Sequence, residues 1–279
     1  MRKILDKLTF NQRIRNLITY AIYVIFAGYT IYLLLHEPSI SGKICYALIL
    51  IVILGIACWA EYLRILYHRM IKYLNIECDP QASIAAQEHL IKKDIFHSYR
   101  NTLLIFNTLY YASTNQPEKN IQLLEENEKF FKSSLDCLLV RNYTYFYSYH
   151  QLGNRSKVKK YYPELTKLKG AKIKGRKVSP LYNWEFIDAV YLADDKDYKK
   201  SIKAFENVNT INMNQRELSL YHFEFAKACL AANQPAKAQA FFEEAKRLGN
   251  ELFYGRESNI YLETLTRGEE HENEQSNRR

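Results

Sequence analysis

The stretch FAKACLAANQPAKAQAFFEEAKRLG, residues 225–249, contains two segments of helical apolar pattern with the turn residue Asn233 between them. Small and aromatic residues recur in it at fixed spacing: Ala226, Ala238 twelve residues later, Phe242 four further on and Ala245 three after that. Small side chains at these positions let two antiparallel helices approach, and the aromatic ring fills the space beside them. The stretch therefore predicts a helical hairpin.

The same pattern recurs upstream in residues 189–208, 145–165 and 106–127, and more weakly in residues 78–90. The positions equivalent to Ala238 are Ser83, Asn120, Val158 and Ser201, so successive positions are 37, 38, 43 and 37 residues apart. A single hairpin cannot bury its apolar stripe alone, whereas stacked hairpins bury a continuous core. We therefore expect an array of helical hairpins over residues 63–268, followed by a disordered polar tail at residues 269–279.

This spacing resembles the tetratricopeptide repeat family, whose unit is a 34-residue helix–turn–helix with small–aromatic–small packing. The resemblance covers about residues 76–265 and is clearest in the last unit. The sequence departs from the family pattern in its longer periods and in Thr108, Asn120 and Phe146, which stand where small residues are usual. An array of helical hairpins outside the family is the alternative. Both interpretations predict an all-α fold with an α-solenoid.

Two apolar runs precede the array. The first, LITYAIYVIFAGYTIYLLL at residues 17–35, has nineteen residues without a charge. As a helix it measures about 28 Å, close to the roughly 30 Å hydrocarbon core of a bilayer. The second run, residues 44–62, follows a short loop at residues 36–43. A cleavable signal peptide is the alternative for the first run, but the run is long, lacks an A-x-A site and precedes another. We therefore predict two transmembrane helices.

Lys and Arg set the expected orientation. They flank the two runs at Arg2, Lys3, Lys7, Arg13, Arg15, Arg64, Arg69 and Lys72, whereas the loop has Lys43 alone. Cytoplasmic flanks collect positive charge. We therefore predict a multi-pass plasma-membrane protein with a basic cytoplasmic segment at residues 1–16, an external loop and a cytoplasmic C-terminus. No Gly/Ser- or Pro-rich linker follows the second run, so a helix of residues 61–75 should continue it.

Glu61 lies at the inner end of the second run. A carboxylate inside the membrane would indicate ion or proton handling. The interface is only one helical turn away, so a solvated carboxylate at the membrane boundary is the other interpretation.

The resemblance to tetratricopeptide repeats implies that the leading helices line a concave groove that binds a peptide or helix. The groove residues implied by that geometry are Ile105, Leu109, Tyr143, Tyr147, His150, Asn183, Phe186, Phe223 and Lys227. The Lys/Asn clamp with which chaperone-binding members hold a terminal carboxylate is absent. Apolar and aromatic residues at these sites favour an apolar helix or peptide as the partner. Core packing is the alternative role for the same rings.

The segment RSKVKKYYPELTKLKGAKIKGRK, residues 155–177, carries ten Lys or Arg and one acid, so its local charge of +9 equals that of the whole chain. We predict a basic surface at Lys167, Lys169, Lys172, Lys174, Arg176 and Lys177. An anionic membrane surface attracts such clusters. An acidic protein is an alternative partner, nucleic acid a less favoured one, and a solvated loop without a partner is the remaining interpretation.

No HExxH, P-loop, GxSxG or dinucleotide fingerprint occurs, so neither an enzyme nor a cofactor is predicted. The five cysteines form no CxxC pair and the seven histidines show no metal-ligand spacing, so no metal site is expected. We expect a membrane-anchored adaptor or scaffold that binds a protein or peptide at the cytoplasmic face. The alternatives are a peptide-sensing receptor and an accessory subunit of a transport, secretion or immunity complex.

Overall fold

A computed structural model describes the backbone of residues 2–170, 172–173, 176–177 and 182–276, and the side chains of residues 17–18, 20–170 and 182–267. Over these residues the fold is all-α apart from one pairing of two-residue strands. The chain divides into two compact units, Met1–Ile65 and Leu66–Arg279. The sequence pattern predicted this division between residues 62 and 63.

The helices are α1 Arg2–His36, α2 Ile40–Asn75, α3 Pro80–Lys93, α4 Arg100–Ser113, α5 Pro117–Glu126, α6 Glu128–Phe131, α7 Leu135–Gln151, α8 Arg155–Thr166, α9 Trp184–Asp194, α10 Tyr198–Glu206, α11 Gln215–Ala231, α12 Pro235–Gly249 and α13 Phe253–Ser276. The two strands, β1 Lys172–Ile173 and β2 Arg176–Lys177, pair antiparallel.

The first unit contains α1 and most of α2. By length and composition, α2 is the one helix among the described residues that is long and apolar enough to cross a membrane, and its mean hydropathy reaches 2.4. The apolar stretch Tyr20–His36 of α1 is shorter. Two spans, at residues 17–35 and 44–62, therefore remain a prediction.

The connection between α1 and α2 is shorter than the expected loop at residues 36–43, because α1 ends at His36 and α2 begins at Ile40. Pro38 cannot continue α1. The Glu37 carboxylate accepts hydrogen bonds from the backbone N–H and the hydroxyl of Ser39, and Ser39 Oγ accepts from Gly42 N at 3.0 Å. These side chains satisfy backbone groups at the start of α2, so the helix begins earlier than the apolar pattern indicated.

Glu61 is partnered within the first unit. Its carboxylate lies 2.8 Å from the Arg64 guanidinium, which also donates to the Tyr20 hydroxyl of α1 at 3.1 Å. Both charged side chains are about 30% exposed, at 29% and 32%. Glu61 is therefore ion-paired and partly exposed, and both interpretations of its role at the membrane remain predictions.

The second unit repeats one turn conformation five times, between α2 and α3, α4 and α5, α7 and α8, α9 and α10, and α11 and α12. Each turn has one left-handed residue: Cys78 (φ 52°), Asn115 (φ 53°), Gly153 (φ 65°), Lys196 (φ 66°) and Asn233 (φ 58°). The next residue donates its N–H back to the preceding helix, as Gln116 does to the Tyr111 carbonyl at 2.8 Å. This geometry satisfies carbonyls that a helix C-terminus leaves unpaired.

The five repeated positions of the sequence pattern each lie five residues after a left-handed residue. Ser83, Asn120, Val158, Ser201 and Ala238 are all 1% exposed or less. The polar ones donate to carbonyls of the preceding helix: Ser83 Oγ to Met70 O at 2.9 Å, Asn120 Nδ2 to Thr108 O at 3.1 Å and Ser201 Oγ to Ala189 O at 2.8 Å. A hydrogen bond across the helix pair therefore stands where a small side chain would otherwise pack.

The connection after α12 and the start of α13 contact early parts of the second unit. Their contacts are Asn250 Nδ2 to Glu77 O at 3.0 Å, Glu251 N to Cys78 O at 3.2 Å and Tyr254 OH to Ala112 O at 3.1 Å. Tyr254 is fully buried. Units of a solenoid contact only their neighbours, so these closing contacts depart from the α-solenoid expectation.

Helix α13 continues to Ser276, so the prediction of a disordered tail at residues 269–279 is wrong for residues 269–276. Glu and Gln, which dominate this stretch, have good helix propensity, and this accounts for the continuation. Residues 277–279 lie outside the described residues.

Replacing Lys196 with glycine is expected to stabilise the second unit by about 0.5–1 kcal/mol, because glycine adopts a left-handed conformation without the Cβ penalty. Lys196 is exposed at φ 66°, so its side chain contributes little packing. The measurement is urea unfolding of the full chain in detergent, followed by Trp184 fluorescence with Trp59 replaced by phenylalanine.

The matched control is Lys203→Gly on the exposed face of α10, which should destabilise by about 1 kcal/mol. Equal losses for Lys196→Gly and Lys203→Gly would show that the left-handed turn is not strained.

Candidate functional site

A half-open cleft of about 530 Å³ lies in the second unit. Its apolar lining comes from α4, α7, α9, α11 and the segment before α11: Ile105, Leu109, Val140, Phe186, Met213 and Leu220. Its polar lining consists of Asn75, Tyr143, Tyr182, Asn183, Asn209, Asn212, Arg216 and Glu217. The volume lies within the range of ligand sites in proteins, and the mixture of apolar surface with a few polar groups is typical of them.

The N-termini of α9 and α11 position polar residues that line the cleft. Asn183 caps α9 by accepting a hydrogen bond from Phe186 N at 3.1 Å. Asn214 forms a capping box with Glu217 at the start of α11, with bonds of 3.0 and 3.1 Å. Because these caps fix where each helix begins, they also fix Arg216 and Glu217 in the first turn of α11.

Arg216 is the buried charge of the cleft, with 6% exposure. Its Nε donates to Asn75 Oδ1 at 2.8 Å, and its Nη2 lies 3.4 Å from Glu217 Oε1. Asn75 ends α2, so this hydrogen bond joins residues 141 positions apart. A guanidinium held in this way presents a fixed cation and hydrogen-bond donors to whatever enters the cleft.

Stacked tyrosines form one wall. The Tyr143 and Tyr182 rings are 3.7 Å apart and inclined by 13°. Burial raises the pKa of both phenols above the usual range for tyrosine. Both hydroxyls therefore stay neutral at physiological pH and act as hydrogen-bond donors or acceptors.

A second group of polar side chains, Tyr147, His150, Asp194, Glu224 and Lys227, forms an ionic cluster inside the unit. Glu224 Oε1 accepts from Tyr147 OH at 2.8 Å, and Glu224 Oε2 accepts from Lys227 Nζ at 2.9 Å. His150 lies between two carboxylates, with Nε2 3.1 Å from Glu224 and Nδ1 2.9 Å from Asp194. The side chains of His150 and Glu224 are 7% and 4% exposed.

Burial and charge act in opposite directions on these groups. Burial lowers the pKa of His150, but the neighbouring Glu224 and the hydrogen bonds to both carboxylates raise it to about 9. Burial raises the pKa of Glu224, but Lys227 and His150 outweigh it and lower the pKa well below its usual range. Burial lowers the pKa of Lys227, yet Glu224 raises it overall. At neutral pH the cluster is therefore charged and internally paired.

The predicted groove residues separate into two sets. Ile105, Leu109, Tyr143, Asn183 and Phe186 line the cleft. Tyr147, His150 and Lys227 belong to the ionic cluster, and Phe223 is 2% exposed among the rings of Phe242, Phe253, Tyr254 and Tyr261. The rings of Tyr147, His150 and Phe223 are therefore buried, as the core alternative holds, whereas Lys227 pairs with Glu224 and stays 35% exposed.

The sequence did not predict that Asn75, Tyr182, Arg216 and the segment before α11 line the cleft. The one local signal was the run of asparagines at Asn207, Asn209, Asn212 and Asn214. Asparagine is common in turns and at helix N-caps, so the run indicates a connection rather than a binding surface.

The predicted basic surface is described in part. Lys167 pairs with Glu164, and Lys169 lies 3.4 Å from Asp188, both on exposed surface. Lys172, Arg176 and Lys177 belong to the paired strands, and their side chains lie outside the described residues. Lys174 lies wholly outside them.

No protein-family model matches the chain, and no curated protein or solved structure matches it at a significant level. Among the described residues, no three His, Cys, Asp or Glu side chains are grouped so as to hold a metal ion. The described residues define an all-α protein with one helix suited to crossing a membrane and a second helical unit that contains the cleft. The cleft supplies neutral hydrogen-bonding groups, a guanidinium with the Glu217 carboxylate beside it, and apolar surface.

Proposed function

We propose that the protein is a membrane-anchored adaptor whose tetratricopeptide-like helical unit binds a protein or peptide partner at the cytoplasmic face of the plasma membrane. The observation that carries the proposal is the open cleft, because its lining suits a peptide. Carboxamides both donate and accept hydrogen bonds and so match the groups of a peptide backbone. The apolar lining accepts a side chain, and Arg216 offers donors to a carbonyl or carboxylate.

In this proposal two helices, at residues 17–35 and 44–62, span the membrane. Large apolar side chains of the first unit are strongly exposed, such as Val24 at 71% and Ile51 at 67%. Water would disfavour such surface, whereas lipid accepts it. The Lys/Arg bias around the two runs supports cytoplasmic termini.

Purification of the full chain in detergent from the cells that produce it tests the adaptor function. A soluble protein in stoichiometric amount supports the proposal, a bound short peptide would favour the receptor, and membrane subunits would favour an accessory role.

Ile105→Asp places a charge in the cleft and should abolish capture of the partner. Ile211→Asp, at a side chain 69% exposed outside the cleft lining, should leave it intact. Equal capture by both variants would contradict binding in the cleft.

Topology gives an independent prediction. A reporter that is active only outside the membrane should be active at Ser39 and inactive after Arg279, because the connection between the two runs should be external. The control is a cytoplasm-active reporter at the same two positions, which should give the reverse pattern. External activity at the C-terminus would overturn the cytoplasmic placement of the helical unit.

A further inference from the structure

The loop between α3 and α4 carries Phe96, the most exposed large apolar side chain of the second unit among the described residues. Phe96 is 80% exposed and Ile95 is 67% exposed, and Ile91, in the last turn of α3, is 53% exposed. Three large apolar side chains in six residues form a patch rather than scattered single exposures. We call residues 91–100 the apolar loop.

The apolar loop has a defined shape. The Asp94 carboxylate, in a residue only 5% exposed, accepts hydrogen bonds from Ser98 N at 2.9 Å and Tyr99 N at 2.7 Å. The Asp94 N–H caps α3 through the Leu90 carbonyl. The buried carboxylate thus fixes both ends of the turn, and the fold itself holds Ile95 and Phe96 outward.

Basic residues flank the apolar tip. Lys92 and Lys93 precede it, Arg100 follows it, and all three are exposed. Asp94 is the one acid between Ile91 and Arg100, and it is engaged within the loop. An apolar tip with a cationic border matches the boundary between acyl chains and anionic headgroups.

The covalent chain keeps the apolar loop close to the end of the proposed second span. The Tyr99 ring contacts the Tyr67 ring of α2, with centroids 5.3 Å apart. Tyr67 lies only five residues after Tyr62, the last residue of that span. Five residues of chain span at most about 18 Å, and the headgroup layer on each side of a bilayer is roughly 5–8 Å thick, so the covalent connection alone keeps Tyr67 within reach of the membrane surface.

We propose that the apolar loop inserts Ile95 and Phe96 into the headgroup–acyl boundary of the same membrane that α2 crosses. The inference rests on the proposed membrane anchoring of the chain. It adds a lipid contact made by the helical unit itself, through a surface distinct from the cleft and from the basic segment 155–177.

The test uses the full chain reconstituted into vesicles of mixed zwitterionic and anionic lipid. The exposed cysteines Cys45 and Cys58 are replaced by alanine, and an environment-sensitive fluorophore is attached to Ile95→Cys. The matched control is Ile211→Cys, because Ile211 is also a loop isoleucine of nearly the same exposure, 69% against 67%. Lipids brominated near the glycerol end of the acyl chain should quench the label at position 95 several-fold more than the label at position 211.

Two outcomes separate this inference from the proposed anchoring. If alkaline carbonate releases the chain from the vesicles, the anchoring and the inference fail together. If the chain resists carbonate and the two labels are quenched equally, the anchoring stands and the inference is wrong. A label at position 95 that aqueous iodide quenches as strongly as the label at 211 also overturns it, and would mark the loop as a surface for a protein partner.

Discussion

Replacing Glu224 with glutamine is expected to destabilise the helical unit Leu66–Arg279 by about 3–5 kcal/mol, the usual effect of removing one partner from a buried charge pair. Glu224 is the carboxylate that both Lys227 and His150 contact, at 2.9 and 3.1 Å. The substitution keeps the side-chain shape and the acceptor for Tyr147. It removes the negative charge, so the buried His150 and the partly exposed Lys227 lose their main counter-charge.

The measurement is the free energy of unfolding of the full chain in detergent, from urea titration followed by Trp184 fluorescence. The matched control is Glu244→Gln on α12, which breaks an exposed pair with Arg247 whose side chains are 43% and 64% exposed. Exposed pairs contribute about 0–1 kcal/mol, so the control should change little. Similar small losses in both variants would show that the ionic cluster does not stabilise the fold.

Raising the pH from about 6.5 through about 9 is expected to remove roughly 3 kcal/mol of stability, through deprotonation of His150. The folded-state pKa of His150, about 9, lies above the ordinary value of 6.5. The folded state therefore binds the proton of His150 more tightly than the unfolded state does. The resulting contribution to the free energy of unfolding is complete below pH 6.5. It declines as the pH rises toward the folded-state pKa.

His150→Gln should abolish this decline, whereas His222→Gln should leave it unchanged. Burial lowers the pKa of His222, so that residue acts only below its ordinary pKa and outside this window. The buried thiols of Cys78 and Cys229, whose pKa values burial raises to about 11, weaken the fold only above pH 9. A stability that stays constant between pH 6.5 and 9 in the natural chain would contradict a charged His150.

Spacing of small and polar residues was sufficient to locate the helical hairpins, because the contact within each hairpin is local in sequence. Ser201 meets the carbonyl of Ala189, twelve residues earlier, as the pattern implied. The turn conformation was harder to predict at Cys78 and Lys196. Neither residue favours a left-handed backbone, and the packing of two complete helices imposes it there.

The sequence predicted the residues of the cleft that lie on helix faces, but it did not predict the polar residues Asn75 and Arg216. Counting from the repeated positions placed Ile105, Leu109 and Phe186 on one side of their helices, and all three line the cleft. The pairing of Asn75 with Arg216 joins residues 141 positions apart, and no local sequence pattern predicts such a contact. The contact of His150 with Glu224, 74 residues later, is likewise beyond a local pattern, and it places His150 inside the unit.

The contacts that join Asn250 and Tyr254 to Glu77 and Ala112 bear on how this chain can change over evolutionary time. An open array gains or loses a repeat easily, because each unit meets only the next one. The contacts of Asn250 and Tyr254 with early parts of the second unit remove that modularity, since inserting or deleting one hairpin would move Tyr254 away from its place beside Ala112. Variation in number of hairpins should therefore be rare among descendants of this chain, and diversity should accumulate in the lining of the cleft.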